Sequence, residues 1–492
     1  MSTPATQRPN IIFIVADDLG FADLGCYGGR DAQFGEVSPV LDQLAANGLK
    51  FTNGYANSPV CSPTRFALMT ARYQYRLRGA AEEPINSRSR HSTTLGLPPS
   101  HPTLPSTLKA AGYRTALIGK WHLGYPPAFG PLRSGYDEFF GPMAGGVDYF
   151  THCASNGAHD LWVGEEEQPQ EGYLTDLISR NAVDFIHRMR QGDRKDDPFF
   201  LSLHYTAPHW PWETREDHAL AATIKDNIFH LQGGNIHTYH RMIHHMDEGI
   251  GWVVKALRET GQLENTLIVF TSDNGGERFS DNWPLVGGKM DLTEGGIRVP
   301  WIAHWPATIA PGGISPQHCM TMDWSATMME IGGASIDADY PLDGVSLTGT
   351  LRNQDHTFER PMHWRMNHRG QRAMRVGDWK YLRVDGNDYL FNITGDSRER
   401  ANLGGDSPSN CKLCVRAGRR GTRPCRQSLT VPPSVLGILS KTCLNVDSDC
   451  GAERIKLIRK HFSHNRAVPA ELVPLPSQLF PSLATRWQPD AL

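Results

Sequence analysis

A single cysteine between two prolines is the feature of this 492-residue chain that points most directly to chemistry. Cys61 lies in SPVCSPTRFALMTARY, residues 58–73, and Arg65 follows it by four positions. The segment predicts a helix that begins just after Cys61, because Pro63 is tolerated in a first helical turn. Cys61 would then lie at a helix N-terminus, which favours an anion, with Arg65 one turn away. This pattern predicts a site that holds an oxyanion, which transfer of a sulfuryl or phosphoryl group needs when a divalent cation lies beside it; the simpler alternative is a small buried apolar residue.

Polar side chains follow four predicted buried strands, each at the point where the strand ends. In open α/β sheets, sites form in the crevice at the carboxyl ends of the strands, so we expect these side chains to face one crevice. One acidic pair after a strand is often only a turn former, but four such strand ends are harder to explain that way. The side chains are Asp17 and Asp18 after NIIFIVA, Lys120 and His122 after TALIG, His209 after FFLSLHYTAP, and Asp273 and Asn274 after TLIVFTS.

Four of these residues offer oxygen ligands, which suit a hard divalent cation such as calcium or magnesium. Three carboxylates gathered without a cation would repel one another and raise their pKa values. The alternative is that the two pairs do not meet in the fold. The candidate metal ligands are Asp17, Asp18, Asp273 and Asn274.

Strand-like and helix-like segments alternate along the chain, which predicts an α/β fold with a large, mostly parallel central sheet flanked by helices. Helical periodicity is clearest in GYLTDLISRNAVDFIHRM and in IHTYHRMIHHMDEGIGWVVKALRETG. From about Pro361, short alternating segments such as RAMRVGDWKYLRV predict a small C-terminal antiparallel sheet.

The changes in composition and in secondary-structure pattern along the chain predict three regions. They are an α/β domain with the candidate site over 8–360, an antiparallel-sheet subdomain over 361–403 and an irregular tail over 404–492. The tail is rich in Cys, Arg and Pro, and the sequence assigns it no role. Cys411 and Cys414 form a C-x-x-C in it, for which a zinc site is a minor alternative.

Composition argues against several classes of function. The net charge of −3 and the 39% apolar content give no basis for nucleic-acid binding or a membrane-surface role. The run IIFIVA is far too short to span a bilayer. The N-terminal MSTPATQRPN lacks the apolar core of a signal peptide, so we expect a cytoplasmic protein, or a periplasmic or secreted one if a leader was removed. The odd number of cysteines, nine, argues against a disulfide framework.

Six motifs in order resemble those of the type I sulfatases, members of the alkaline-phosphatase-like superfamily. CSPTR followed by TARY is similar to their first signature, and GKWHLG is similar to their second. The resemblance runs from about Arg8 to Leu403, with one departure at Ala71, where the family commonly has glycine. The other matching motifs are NIIFIVADDLGFADLGCYG, TAPHWPW, TSDNGG and GGKMDLTEGGIRVPWIAHWP.

The resemblance implies that Cys61 is oxidised to formylglycine by a separate maturation enzyme that reads C-x-P-x-R. One hydroxyl of the hydrated aldehyde would attack sulfur and displace the alcohol or phenol. The other would then lose a proton as sulfate is expelled and the aldehyde forms again. By the same resemblance, modified residue 61 would join Asp17, Asp18, Asp273 and Asn274 in binding one calcium ion.

The resemblance also implies a set of catalytic side chains around the sulfate. Arg65 would orient and stabilise the aldehyde hydrate, and Lys120 and Lys289 would bind sulfate oxygens. His122 would act as the base during sulfate release, and His209, with Lys289, would protonate the leaving oxygen. Histidine suits such proton transfers because its charge changes near neutral pH.

Several further residues are candidates for substrate choice or for packing. A sugar or aromatic subsite, or ordinary packing, would explain Trp210, Trp212, Trp283 and Trp364. Weaker candidates for shaping the pocket are His152, His159 and His363. A partly exposed helix, rather than a metal site, is predicted for His237, His240 and His244. A bracing role for the Lys289 loop is predicted for Glu294 and Arg298.

These observations predict hydrolysis of a sulfate ester, from an aryl sulfate or a sulfated carbohydrate, to an alcohol and inorganic sulfate. The nearest alternative is a phosphodiesterase or phosphonate monoester hydrolase of the same superfamily, although the positive charge of GKWHLG and of the Lys289 loop favours sulfate. A second alternative is a non-catalytic sulfoglycan-binding protein, against which the complete set of expected catalytic positions argues. The sequence specifies neither the natural substrate nor the oligomeric state.

Overall fold

A computed structural model describes residues 8–29, 31–77, 84–224 and 233–404. Almost all of the predicted tail, including Cys411 and Cys414, lies outside the described residues. Within them, no helix has the length and apolar character that crossing a membrane requires.

The strands of the described part are numbered in chain order. They are β1 (Asn10–Ala16), β2 (Leu49–Tyr55), β3 (Arg114–Gly119), β4 (Glu138–Gly141), β5 (Trp162–Val163), β6 (Glu166–Glu167), β7 (Phe199–His204), β8 (Thr266–Ser272), β9 (Trp301–His304), β10 (Gly313–Met320), β11 (Met362–Met366), β12 (Gln371–Val376), β13 (Trp379–Val384) and β14 (Asn387–Asn392).

The α-helices are numbered in the same way. They are α1 (Asp31–Phe34), α2 (Pro39–Ala46), α3 (Cys61–Thr70), α4 (Leu104–Ala110), α5 (Leu174–Met189), α6 (His218–Ile224), α7 (Ile236–Glu259), α8 (Glu294–Ile297), α9 (Thr321–Ile331) and α10 (Thr348–Arg352). Short 3-10 turns occur at Gly25–Tyr27, Gln74–Arg76, Ser87–His91, Leu132–Ser134, Leu263–Asn265 and His368–Gly370.

The main sheet has ten strands in the order β10-β2-β9-β8-β1-β7-β3-β4-β5-β6. β1 pairs in parallel with both β8 and β7, and β3 pairs in parallel with β7 and β4. β9 runs antiparallel to both of its neighbours. The predicted mostly parallel α/β fold is therefore confirmed. The continuous apolar run of β1 follows from its place at the centre, where both faces of a strand are covered.

Successive residues of β1 face two different apolar cores. Ile12 and Ile14 belong to the core that α5 and α7 cover, whereas Ile11 and Phe13 belong to the core that α3 and α9 cover. This alternation is the two-residue period of a strand with helices on both faces. The helices predicted from GYLTDLISRNAVDFIHRM and IHTYHRMIHHMDEGIGWVVKALRETG are α5 and α7, which pack on each other.

A second, smaller sheet follows in the order β11-β12-β13-β14, with β13 and β14 antiparallel, as the sequence predicted. The chain divides into two compact units. One extends to Arg360 and includes Trp364–Arg372, and the other includes Pro361–His363 and continues from Ala373. The predicted domain boundaries after residues 360 and 403 stay a prediction.

Candidate active site

Four adjacent parallel strands bring the predicted site residues to one edge of the main sheet. β8, β1, β7 and β3 are neighbours, so their carboxyl ends meet. Backbone hydrogen bonds continue past the strand ends: Asp17 N–H donates to the carbonyl of Ala207 at 3.0 Å, and Asp273 N–H donates to that of Ala16 at 3.1 Å. The loops that carry the polar side chains are therefore tied to one another.

The predicted metal ligands come together in this crevice. Carboxylate oxygens of Asp17, Asp18 and Asp273 all lie within 4.8 Å of one another, and all three residues are buried. Asn274 Nδ2 donates to Asp18 Oδ1 at 2.7 Å. Two buried oxygens, Asp17 Oδ1 and Asn274 Oδ1, accept no hydrogen bond. Buried polar atoms without partners are rare in folded proteins, so these oxygens fit the ligand set of a hard cation such as calcium or magnesium.

The charges in the crevice support the same conclusion. Burial and the neighbouring Asp17 carboxylate raise the pKa of Asp273 to about 7, although Arg65 opposes the shift. Burial would also raise the pKa of Asp18, but Lys289 and His209 outweigh it and lower that pKa below its usual range. A bound cation would stabilise the ionised form of all three carboxylates.

Cys61 is the first residue of α3, so the predicted helix begins at the cysteine itself rather than just after it. The thiol sulfur of Cys61 lies within 4.8 Å of ligand atoms of Asp17 and His209. Burial raises the pKa of the Cys61 thiol to about 12, against the opposing effect of two nearby lysines. An unmodified Cys61 would therefore stay a neutral thiol at physiological pH, which is a weak nucleophile.

Arg65 is buried behind the candidate nucleophile. Its Nε and Nη2 both donate to Asp273 Oδ2, at 3.1 and 2.9 Å. Its Nη1 donates to the carbonyl of Lys120 at 3.0 Å and lies 3.2 Å from His204 Nδ1. Arg65 therefore joins the start of α3 to the ends of β8 and β3.

Two lysines bring positive charge to the same crevice. Lys120 Nζ donates to Asp17 Oδ2, and neither side chain is exposed. Lys289 Nζ donates to Asp18 Oδ2 at 2.7 Å and lies 3.4 Å from Glu277 Oε2. Each ammonium group thus lies beside one of the candidate metal ligands, where a bound anion could meet both.

The two predicted catalytic histidines are buried and have lowered pKa values. For His122, burial and the Lys120 charge place the pKa well below its ordinary value. For His209, burial and then the Lys289 charge lower the pKa to about 3. Both imidazoles are therefore neutral at pH 7 in this structure.

The hydrogen bonds of these histidines assign their tautomers. His122 Nε2 lies 2.5 Å from the carbonyl oxygen of Ile85, which can only accept, so Nε2 carries the proton. His122 Nδ1 then holds the lone pair, and it is buried without a hydrogen-bond partner. His209 Nδ1 lies 2.6 Å from the carbonyl oxygen of Trp210, so Nδ1 is protonated and Nε2 faces Asp18 Oδ2 at 3.6 Å.

Known proteins resemble this chain over most of its length. Residues 9–334 match the family model described as Sulfatase. An N-acetylgalactosamine-6-sulfatase of Rattus norvegicus is 34% identical over 396 residues, which cover 76% of this chain and 71% of that protein. An arylsulfatase J of Mus musculus is 31% identical over 475 residues, which cover 84% and 76% of the two chains. The chain belongs to the sulfatase family.

Among solved structures, Ps i-CgsB in complex with k-i-k-neocarrahexaose resembles this sulfatase with a TM-score of 0.73 and 29% sequence identity. The likeness covers 94% of this chain and 98% of that one. Resemblance to a type I sulfatase of the alkaline-phosphatase-like superfamily is confirmed. The protein is thus an enzyme, a sulfuric ester hydrolase, and its reaction is hydrolysis of a sulfate ester.

The sulfatase site includes residues that the sequence did not single out. His204, the last residue of β7, contacts Arg65 and the carbonyl of Lys120. Glu277 accepts hydrogen bonds from Lys289 and from Trp210 Nε1. A histidine at the end of a strand that is apolar except for Ser202 was a visible signal for His204, whereas Glu277 lies in a loop with no comparable pattern.

Other candidates have different places in the sulfatase. His237, His240 and His244 lie on α7 as predicted, and the His240 ring contacts that of Phe34 at a tilt of 40°, with ring centroids 4.2 Å apart. Glu294 Oε2 accepts from Tyr55 at 2.7 Å.

The remaining histidines and the bracing arginine have the following contacts and places in the chain. Arg298 Nε donates to the carbonyl of Thr52 at 2.9 Å, so it holds the chain after the Lys289 loop against β2. His152 is buried, with Nε2 3.2 Å from the carbonyl oxygen of Gly172, and His159 lies 3.5 Å from Glu167. His363 lies on β11.

Proposed function

We propose that this sulfatase removes sulfate from a sulfated saccharide. Two features of its relatives support a saccharide rather than a simple aryl sulfate. The rat relative is named for N-acetylgalactosamine 6-sulfate, and the solved structure of Ps i-CgsB contains an oligosaccharide. Both matches extend over most of this chain, and residues 9–334, which match the Sulfatase family model, include the strand ends that form the site.

The observation that carries the proposal is the meeting of oxygen donors, lysines and histidines around residue 61. Asp17, Asp18, Asp273 and Asn274 would hold one calcium ion, whose charge would polarise a sulfate oxygen. Cys61, oxidised to formylglycine by a maturation enzyme, would supply the nucleophilic oxygen. The high pKa of the unmodified thiol supports this modification, because burial makes the cysteine itself a poor nucleophile.

Lys120 and Lys289 bind the sulfate group in this proposal. Their ammonium groups lie on two of the candidate metal ligands, Asp17 and Asp18. Two fixed cations beside the transferred group stabilise charge that develops on its oxygens. Arg65 keeps residue 61 in place through Asp273 and the Lys120 carbonyl.

The two histidines divide the proton transfers between them. His122 is the base, because its Nδ1 has a free lone pair and its Nε2–H is fixed on the carbonyl of Ile85. His209 would be the acid toward the leaving oxygen, after its Nε2, which lies 3.6 Å from Asp18 Oδ2, takes up a proton in the substrate complex. Burial and the positive charge of Lys289 lower the pKa of His209. The negative charge of a bound sulfate ester opposes the effect of Lys289 and so raises that pKa again.

Hydrolysis rates on matched esters test this proposal. The protein is co-expressed with a formylglycine-generating enzyme and assayed on 4-nitrophenyl sulfate, 4-nitrophenyl phosphate and a sulfated disaccharide. We expect turnover of both sulfate esters, slower turnover of the phosphate ester, and loss of activity after chelation that added calcium restores. Cys61→Ala should be inactive, whereas Cys319→Ala, a change at a buried free cysteine on β10, should be active. Faster turnover of the phosphate ester, or activity that survives Cys61→Ala, would contradict the proposal.

A further inference from the structure

Four tryptophans are candidates for contact with the substrate, and the structure separates them by exposure. Trp212 and Trp364 are each only 2% exposed. Trp364 Nε1 also donates to the carbonyl of Ala56 at 2.8 Å. These two side chains are therefore part of the packed interior. Trp210 is half-buried, and Trp283 is 61% exposed, so these two can meet a ligand.

Trp210 lies directly beside the proposed proton donor. Its ring centroid is 4.1 Å from that of His209, and Lys289 Nζ lies 5.9 Å from the indole centroid. Its Nε1 donates to Glu277 Oε2 at 3.1 Å, which fixes the indole plane. A side chain at Gly146 would come within 3.3 Å of the Trp210 ring, and glycine keeps that space free. Trp210 is thus a fixed aromatic surface at the side of the site where the leaving oxygen must lie.

Trp283 lies on the loop that carries Lys289. Asn282 braces this loop, because its Nδ2 donates to the carbonyls of Gly276 and Gly287, both at 3.2 Å. Trp283 is the most exposed of the large apolar side chains in the described part of the chain. A single exposed apolar residue needs no explanation by itself. Here, however, a braced loop presents the indole within six residues of the sulfate-binding lysine.

We propose that Trp210 and Trp283 form a saccharide-stacking platform on the leaving-group side of the sulfate site. The C–H face of a pyranose ring is apolar and packs on the flat face of an indole, while its hydroxyls stay in water. Trp210 contacts the ring whose oxygen bears the sulfate, because that oxygen lies at His209. Trp283 extends the surface along the loop toward a neighbouring ring. The inference rests on the proposed saccharide substrate.

Paired substrates and matched tryptophan variants test the platform. The mature holoenzyme is assayed with a sulfated disaccharide and with 4-nitrophenyl sulfate, and the ratio of the two kcat/KM values is compared. We expect Trp283→Ala to lower the ratio of disaccharide kcat/KM to aryl kcat/KM about fivefold, which corresponds to the loss of one aromatic contact. Most of this change should be a higher KM for the disaccharide. Trp210→Phe, which keeps an aromatic ring, should lower the ratio less than Trp210→Ala. The control is Trp252→Ala, on α7, where Arg215 covers the ring 5.7 Å from its centroid.

The ratio of disaccharide to aryl activity in these variants decides for or against the platform. A ratio that falls for Trp283→Ala and holds for Trp252→Ala supports the platform. An unchanged ratio in Trp283→Ala, or a larger loss on the aryl ester than on the disaccharide, overturns it. If the wild-type enzyme hydrolyses the aryl ester but not a range of sulfated disaccharides, the saccharide proposal itself fails. That result is distinct from failure of the platform, because it appears without any substitution.

Discussion

Arg65 and Asp273, separated by 208 positions in the sequence, form an ion pair in which two guanidinium nitrogens donate to the same carboxylate oxygen. Each side chain is 1% exposed. The pair fixes the first turn of the helix that begins at Cys61 against the end of the central strand β8. The position of the proposed nucleophile relative to the carboxylate cluster therefore depends on this contact.

Removal of Arg65 is expected to cost both stability and activity. Arg65→Ala leaves the Asp273 carboxylate buried without its partner, which should lower the free energy of unfolding by about 3–5 kcal/mol. Urea unfolding in the presence of a chelator measures this loss, and sulfate ester hydrolysis should be abolished. The control is Arg241→Ala, which removes an exposed pair with Glu216 and should cost less than about 1 kcal/mol. Equal losses in the two variants would contradict the assigned role of Arg65.

Asp23 is expected to support metal binding without being a ligand. Its Oδ2 accepts from Gly20 N–H at 2.8 Å and from the Tyr239 hydroxyl at 2.6 Å, and its Oδ1 accepts from Asp281 N–H at 2.8 Å. In Asp23→Asn an amide NH2 group replaces one of these accepting oxygens and faces a hydrogen-bond donor. The two donors repel each other, so the loop after β1 should shift. We expect calcium affinity, measured by calorimetric titration, to fall about 10- to 100-fold.

The matched control for Asp23→Asn is Asp337→Asn. Asp337 Oδ1 also accepts a backbone N–H, from Asp339 at 2.9 Å, but in an exposed turn. This control should bind calcium like the wild type. Wild-type affinity in Asp23→Asn would show that the hydrogen-bond network does not position the ligands.

Gly145 is expected to be intolerant of a side chain because of His122. A methyl group at position 145 would collide with Cε1 and Nε2 of that imidazole, which is held on the carbonyl of Ile85. Gly145→Ala should therefore displace the proposed base and lower kcat about 100-fold with a smaller change in KM. Gly130→Ala, where the nearest atom would be 3.5 Å away, should keep wild-type kinetics. Similar kcat values for the two variants would count against His122 as the base.

Because of Glu213, we expect the folded protein to lose stability as the pH rises into the alkaline range. Burial and the nearby Asp148 carboxylate raise the pKa of Glu213 to about 9 in the folded protein. In the unfolded chain the pKa of a glutamate is about 4.3. Between these values the folded protein binds more protons than the unfolded one, so this contribution to stability falls as pH rises and is lost through about pH 9. Gln resembles the protonated side chain, so Glu213→Gln should lose less thermal stability than the wild type over that range.

Melting temperatures from about pH 5 to about pH 10 measure this difference. The exposed Glu171→Gln is the control and should follow the wild-type curve. Parallel curves for wild type and Glu213→Gln would show that Glu213 is ionised at neutral pH.

The sequence was most informative where a residue's role follows from its place on a strand. The buried run of β1 and the acids that follow it predicted both the central strand and the meeting of Asp17 with Asp273, because parallel strands share one carboxyl edge. It was least informative in loops. The contact of Glu277 with Lys289 joins positions 12 residues apart through a turn that shows no periodic pattern. Burial of Trp212 and exposure of Trp283 likewise depend on tertiary packing rather than on residue type.

The mass of the tryptic peptide that contains residue 61, spanning 51–65, tests the central claim most directly. Conversion of the thiol to an aldehyde exchanges sulfur for oxygen and removes two hydrogens, a loss of about 18 Da. In protein co-expressed with a formylglycine-generating enzyme, we expect this loss, with the modified fraction rising in proportion to the rate of sulfate ester hydrolysis. Full hydrolytic activity in protein whose Cys61 peptide has the unmodified mass would contradict the account.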